Sequence, residues 1–120
     1  MLVRPLEDDD WSAFYPVLVD VVAAGETYAY PERLGSSEAR GLWVESPPGL
    51  TVVVVDDGGS VLGSAKAGPN RPARGSHVAT ASFMVAPSAR GQGVGRLLGE
   101  WALKWAREQG YAAMQFNAVV

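Results

Sequence analysis

Three glycines alternate with longer residues in the segment RGQGVGR at positions 90–96, and an arginine stands at each end of it. The small side chains allow a ligand to approach the main chain closely. A predicted amphipathic helix follows, and the first turn of a helix presents N–H groups that lack partners within the helix and favour negative charge. These features predict a phosphate-binding turn. Its predicted ligand-binding residues are Arg90, Gly91, Gln92, Gly93, Val94, Gly95 and Arg96.

The spacing of these glycines excludes two common nucleotide-binding motifs. A dinucleotide-binding turn requires G-x-G-x-x-G or G-x-G-x-x-A. The last position of that pattern is Arg96 when it begins at Gly91, and Leu98 when it begins at Gly93. A P-loop requires Gly-Lys followed by Ser or Thr, and the sequence contains no such triplet. The remaining alternative is a glycine-rich helix start that binds no ligand.

The turn and its flanks resemble the GNAT superfamily of acyl-CoA-dependent N-acetyltransferases. Residues 90–95 match the superfamily signature R/Q-x-x-G-x-G/A. Residues 85–87 (VAP) resemble the V-x-P strand end that precedes the signature, and Leu97-Leu98 resembles the start of the central helix that follows it. The resemblance covers residues 50–120 well and residues 1–49 only in the order of their elements.

This resemblance implies direct transfer of an acetyl group from acetyl-CoA to a primary amine. The N–H groups from about Gln92 to Arg96 would hold the pyrophosphate of coenzyme A. The pantetheine arm would pair with the main chain near Met84 and Val85, and an N–H group near Val85 would polarise the thioester carbonyl as an oxyanion hole does. Asn117 would hydrogen-bond the cofactor or the acceptor; the alternative is a polar residue at a strand end.

The general base is left unassigned. An amine acceptor is protonated near neutral pH and must lose a proton before it attacks. Some superfamily members use a glutamate on the strand before the glycine turn, but residues 77–99 contain no carboxylate. The candidates are Glu26, Glu32 and His77, although a lone histidine at a strand start is more often structural or exposed.

Residues 25–35 (GETYAYPERLG) are dense in aromatic and charged side chains. In the superfamily the segment between the first two helices commonly contacts the acceptor. The resemblance therefore implies that Glu26, Tyr28 and Tyr30 bind the substrate, which we expect to be a small-molecule amine such as an amino acid or an analogue. The alternative is a solvated loop whose tyrosines pack on the core.

Composition limits the classes of function. At 120 residues the chain is predicted to form a single domain over residues 1–120. A net charge of −3 gives no reason to expect nucleic acid or an anionic membrane as a partner. With no cysteine and one histidine, we expect no metal. Residues 1–20 do not resemble a signal peptide, and no apolar stretch reaches membrane-spanning length, which predicts a cytoplasmic protein.

Hydrophobic periodicity predicts the elements that position the turn. The last helix should bury a stripe of Leu97, Trp101 and Trp105, flanked by Leu98 and Ala102. Because a strand–helix–strand crossover joins parallel strands, we expect an α/β fold of the α+β type, with a mixed, mostly antiparallel sheet and helices on both faces. The predicted strands are residues 1–6, 50–55, 61–67, 77–85 and 112–120. Three helices are predicted. The first runs from about residue 11 to Gly25, and the second is capped by Ser36 or Ser37 and runs to about Val44. The third spans residues 93–109.

The sequence ends within its last predicted strand, whereas superfamily members normally continue through another helix and two more strands. We therefore expect a C-terminally incomplete fold whose last strand exposes an unpaired edge. A homodimer formed through that strand is one expectation. Other function classes stay open: a catalytically inactive acyl-CoA-binding module, a protein N-terminal or lysine acetyltransferase, and a purely structural domain.

Overall fold

A computed structural model describes residues 1–23, 35–69 and 78–116. The strands are β1 (Leu2–Pro5), β2 (Leu50–Val55), β3 (Val61–Pro69), β4 (Val78–Val85) and β5 (Ala113–Phe116), and the helices are α1 (Asp8–Ala23), α2 (Ser36–Trp43) and α3 (Val94–Glu108). The strands form one sheet in the order β1-β2-β3-β4-β5. Neighbours are antiparallel from β1 to β4, and β4 pairs with β5 in parallel. The predicted mixed, mostly antiparallel sheet is confirmed.

Helices cover both faces of this sheet, as predicted. On one face α3 packs against a core that includes Ala81, Phe83 and Val85 of β4. On the opposite face α1 and α2 pack together with Met84. This division follows the alternation of side chains along a strand. Within the described ranges, no helix combines the length and the apolar character needed to cross a bilayer.

The buried stripe of α3 lies beside the predicted one. Leu97 and Trp101 are only partly buried, and Trp101 stacks on Trp105 with ring centroids 6.2 Å apart. The first turn of α3 instead directs Val94 and Leu98 onto β3, where Gly63 has no side chain to oppose them. The buried residues of α3 are Val94, Leu98, Ala102, Trp105 and Ala106.

Helix α2 begins without the predicted serine cap. Its N-cap is Gly35, and no side chain hydrogen-bonds the cap. The Ser36 hydroxyl instead accepts a hydrogen bond of 2.8 Å from Trp11 Nε1 on α1. Trp11 is buried, and a buried indole N–H needs an acceptor. The Ser36 hydroxyl therefore accepts a hydrogen bond from α1 and does not cap its own helix.

An ion pair joins β1 to the start of α1. Arg4 Nη2 donates to Asp10 Oδ1 at 2.8 Å, and the Glu7 N–H donates to Asp10 Oδ2 at 2.7 Å. The hydrogen bond from the Arg4 guanidinium lowers the pKa of the Asp10 carboxyl below its usual 3.8, against the opposing effect of burial. The pair holds the edge strand against the helix that covers the sheet.

Acidification is expected to remove the stability that this ion pair contributes. Because the pKa of Asp10 is lower in the folded chain, the contribution is complete above pH 3.8 and is lost as the pH falls through the folded-state value. Asp10→Asn should lower the free energy of unfolding near neutral pH, and the difference from wild type should shrink in strong acid. Urea unfolding across this pH range tests the prediction, with Asp9→Asn as the control for charge; a difference that does not change with pH would contradict it.

Gly63→Ala is expected to destabilise the fold by about 1–3 kcal/mol, the usual cost of overpacking a core. An added Cβ would lie 2.8 Å from the Met84 carbonyl oxygen and 2.9 Å from Val94 Cγ1, and the main-chain oxygen has no rotamer by which to move away. Gly99→Ala is the matched control on α3, where an added Cβ meets no atom within 4 Å. It should stabilise the helix by up to about 1 kcal/mol. Urea unfolding gives both values, and equal stability of Gly63→Ala and wild type would show that α3 is less closely packed than described.

Candidate functional site

The glycine-rich turn between β4 and α3 exposes its main chain. After β4 the chain makes one short 3₁₀ turn, Pro87–Ala89, and then passes through Gly91 with φ +81° and Gly93 with φ +85°. These left-handed conformations favour glycine. A Cβ atom at either position would meet nothing within 4 Å, so the space in front of the turn is open.

Four consecutive N–H groups of this turn, those of residues 93–96, have no hydrogen-bond partner among the described residues. They begin at the N-cap of α3 and end in its first turn. The Gln92 N–H, also predicted to face the ligand, donates to the Ala89 carbonyl in a long bond of 3.3 Å. The group of amides available to an anion therefore begins at Gly93.

The two arginines that flank the turn are exposed. Arg96 Nε donates to Glu100, one turn further along α3, at 3.1 Å, and these side chains are 86% and 63% exposed. An exposed pair of this kind is weak, so little free energy opposes the transfer of Arg96 to a bound anion. The Gln92 side chain donates to the Ser88 carbonyl at 3.4 Å, which keeps it beside the turn.

The end of β4 directs one main-chain N–H group toward the β5 side of the sheet. Among the described residues β5 pairs with residues 78–81 of β4. The Ala86 N–H donates to a β3 carbonyl at 2.8 Å. Because amide direction alternates along a strand, the Val85 N–H points away from β3, to the β5 side. The Val85 side chain is buried, so the main-chain N–H is the group that Val85 directs to that side.

A small cavity beside the end of α2 was not anticipated from the sequence. It lies on the face of the sheet opposite α3 and has a volume of about 130 Å³. The only sequence signal for it was that Thr80 and Ser82 alternate on the face of β4 that carries Met84. The cavity is lined by Glu45, Lys66, Ala67, Gly68, Thr80 and Ser82.

Two hydroxyl groups attach the end of α2 to the sheet and so place Glu45. Thr51 Oγ1 accepts a hydrogen bond from the Glu45 N–H at 2.9 Å and donates to the Trp43 carbonyl at 3.0 Å. Trp43 Nε1 donates to Ser64 Oγ at 2.9 Å, and Ser64 Oγ donates to the Val52 carbonyl at 2.7 Å. Satisfied polar groups in a buried network hold a single arrangement.

Lys66 is oriented by the same end of α2. Its Nζ donates to the Leu42 carbonyl at 2.9 Å and lies 5.4 Å from the centroid of the Trp43 ring. Both contacts hold the ammonium group at the end of α2. A positive and a negative side chain therefore line one cavity, each positioned by α2.

Several predicted site residues fall outside the described ranges: Glu26, Tyr28, Tyr30, Glu32, His77 and Asn117. Their assigned roles as base, acceptor ligands or cofactor ligand stay predictions. In the part of the chain that is described, no three histidine, aspartate or glutamate side chains lie close enough together to hold a metal ion.

The sequence is similar to known proteins over nearly its whole length. The family model described as Acetyltransferase (GNAT) family matches residues 5–120. The chain is 31% identical over 112 residues to N-acetyltransferase aca1 of Schizosaccharomyces pombe, in an alignment that covers 82% of this chain and 54% of the yeast protein. The chain thus spans about half the length of that relative.

Two solved structures share the fold at higher or comparable identity. A GCN5-related N-acetyltransferase from Kribbella flavida is 52% identical, with a TM-score of 0.91 over 98% of this chain and 71% of that one. A ribosomal-protein-alanine N-acetyltransferase from Brucella melitensis is 31% identical, with a TM-score of 0.79 over 92% of this chain and 70% of that one. The predicted fold is confirmed by these similarities.

Proposed function

Because the chain belongs to the GNAT acetyltransferase family, we propose that residues 1–120 form one acyl-CoA-dependent N-acetyltransferase domain. It transfers an acetyl group from acetyl-CoA to the primary amine of a small molecule, an amino acid or an analogue. The observation that carries this proposal is the run of N–H groups at residues 93–96, which the described residues leave unpaired at the start of α3.

The positive charge of the turn and the open space in front of its amides both fit the diphosphate of coenzyme A. Its free N–H groups lie at the positive end of the α3 dipole, where anions are stabilised. Arg90 and Arg96 add fixed positive charge at its two ends. The left-handed glycines Gly91 and Gly93 leave the space in front of the amides unfilled.

The end of β4 suits the pantetheine arm, because an extended ligand with amide groups can pair with the main chain of a strand. The Val85 N–H points to the β5 side of the sheet and would donate to the thioester carbonyl oxygen. Negative charge develops on that oxygen during attack, and a preorganised N–H stabilises it there. By the same alternation the Met84 main chain faces β3, where its carbonyl oxygen lies beside Gly63. The pairing predicted for Met84 with the arm stays a prediction.

The transfer proceeds without a covalent enzyme intermediate. The ammonium group of the acceptor loses a proton, and its nitrogen attacks the thioester carbonyl carbon. The C–N bond forms, the C–S bond breaks, and the departing thiolate takes up the second proton that the nitrogen loses. The protein contributes the relative position of the two substrates and the stabilisation of the oxyanion.

A protein N-terminus or a lysine is the alternative acceptor, and a catalytically inactive acyl-CoA-binding module is the alternative to an enzyme. The first is supported by the similarity to the Brucella protein, which is named for acetylating an alanine of a ribosomal protein. Turnover of acetyl-CoA with a panel of amines separates an enzyme from a binding module. The cytoplasmic location and the absence of nucleic-acid, membrane and metal partners stay predictions.

Acetyl-CoA is expected to stabilise the folded chain. A ligand at a hundredfold excess over its dissociation constant raises the free energy of unfolding by about 2.7 kcal/mol. Gly93→Ala should weaken binding about tenfold or more, because the added methyl group lies in the turn that holds the diphosphate. The rise in melting temperature with acetyl-CoA measures both effects.

Gly110→Ala is the matched control for Gly93→Ala. Both glycines stand at an end of α3, with φ values of +84° and +85°, and an added Cβ meets nothing within 4 Å at either position. The two variants should therefore lose similar stability from backbone strain, about 1–2 kcal/mol each. Only Gly93→Ala should lose the shift with acetyl-CoA. A folded wild type whose melting temperature is unmoved by saturating acetyl-CoA would overturn the cofactor assignment.

We also propose that the chain forms a homodimer through β5. This strand is the outer strand of the described sheet, and Phe116 on it is 43% exposed. An unpaired edge with apolar side chains favours pairing with another strand. Light scattering over a range of concentrations should detect the dimer, and a stable monomer at high concentration would contradict it.

A further inference from the structure

We propose that the aromatic pair formed by Phe83 and Phe116 binds the acyl group of the donor, and that the exposed ring of Phe116 makes an acyl chain longer than acetyl bind more tightly. This inference rests on the proposed N-acetyltransferase function and names its donor class. The donors are coenzyme A thioesters of short, uncharged, straight-chain acids, propionyl and butyryl as well as acetyl.

Phe116 is the described residue of β5 that lies furthest toward the C-terminal end of β4. The two strands are parallel, and Phe116 pairs with Ala81 in their register. From Ala81 the strand continues through Phe83 to Val85, whose N–H is the proposed donor to the thioester carbonyl. Phe116 is therefore the described residue of β5 nearest to the proposed position of the thioester.

The ring of Phe116 packs on Phe83 and remains partly exposed. The two ring centroids are 5.4 Å apart, and the rings are tilted by 41°. Phe83 is only 2% exposed and belongs to the core beneath α3, whereas Phe116 is 43% exposed. Core packing thus supports one side of the Phe116 ring and leaves apolar surface on it uncovered. The contact with Phe83 also keeps the ring on the β4 side of β5, away from the outer edge through which the chain is proposed to dimerise.

The direction in which the cofactor would enter brings its acyl group toward this pair. The glycine turn follows the C-terminal end of β4, so an arm attached to a diphosphate at residues 93–96 approaches from that end. The N–H groups of Phe83 and Val85 both point to the β5 side, because amide direction alternates along a strand. An acyl chain that continues past the Val85 N–H therefore runs back along β4 toward Phe83, which is about 7 Å away along the strand.

A longer chain gains contacts that an acetyl group does not make. The methyl group of acetyl lies one bond from the carbonyl carbon, so it covers only the start of the separation of about 7 Å. Each added methylene brings the chain closer to the Phe116 ring and removes apolar surface from water. Burial of one methylene corresponds to about a fourfold change in affinity.

The two strands beside this path carry no charged side chain in their described parts. Neither β4 (VATASFMV) nor β5 (AMQF) contains an acidic or a basic residue. A carboxylate at the end of an acyl chain would lose water here, and these strands offer no charged partner for it. The pair therefore favours butyryl over succinyl, an acyl group of the same chain length that carries a carboxylate.

The test is the affinity of the protein for a series of coenzyme A thioesters, obtained from the rise in melting temperature with ligand concentration. The dissociation constant of wild type should fall about fourfold from acetyl to propionyl and again from propionyl to butyryl. Succinyl-CoA should bind no more tightly than acetyl-CoA. The measurement needs neither an acceptor nor turnover.

Variants at Phe116 show whether its ring causes the gain. Phe116→Ala should reduce the difference in affinity between acetyl-CoA and butyryl-CoA to about twofold or less, while its affinity for acetyl-CoA stays close to that of wild type. Phe116→Leu, which keeps an apolar side chain, should retain most of the difference. Leu2→Ala is the control, because it removes a comparably exposed apolar side chain from the opposite edge of the described sheet. The melting temperature of each variant without ligand shows whether it is folded.

The results separate the possible failures. A folded wild type whose melting temperature no thioester raises overturns the proposed function and this inference together. A normal shift with acetyl-CoA overturns this inference alone if butyryl-CoA binds no more tightly, if succinyl-CoA binds as tightly as butyryl-CoA, or if folded Phe116→Ala keeps the full gain. The comparison of butyryl with succinyl in wild type does not depend on the folding of any variant.

Discussion

The attachment of α2 to the sheet through the buried hydroxyls of Thr51 and Ser64 determines how one face of the molecule is arranged. Each hydroxyl both accepts and donates a hydrogen bond. Fraying of the last turn of α2 would leave these groups buried without partners, at a cost of about 1–3 kcal/mol each. The Leu42 carbonyl and Glu45, which lie on either side of Trp43, are therefore held over β3.

Strand β4 carries side chains to both faces of the sheet. Its alanines and Phe83 face α3, and its polar residues Thr80 and Ser82 face the cavity on the opposite side. The glycine turn continues from the end of this strand. Its amides keep their position because Val94, in the first turn of α3, is pressed against Gly63 on β3. Packing in the core thus fixes a group of surface amides.

Local sequence determined some elements and long-range contacts determined others. Strand β2 has the predicted bounds, because a β-branched run between Pro-Pro-Gly and Asp-Asp-Gly-Gly has no competing structure. The role of Ser36 and the buried face of α3 depended on Trp11 and Gly63, which are far away in sequence. The cavity combines residues of α2's end, β3 and β4. The sequence could not predict that Glu45 lines this cavity, since only the fold brings it to β4.

The five described strands have the same order across the sheet as along the chain. Each strand joins the outer side of the one before it, and no strand must be inserted between two that are already paired. A chain that leaves the ribosome N-terminus first can therefore pair β1 to β4 before the ligand-binding turn has emerged. Assembly of those four strands does not depend on the coenzyme, which meets a scaffold already in place.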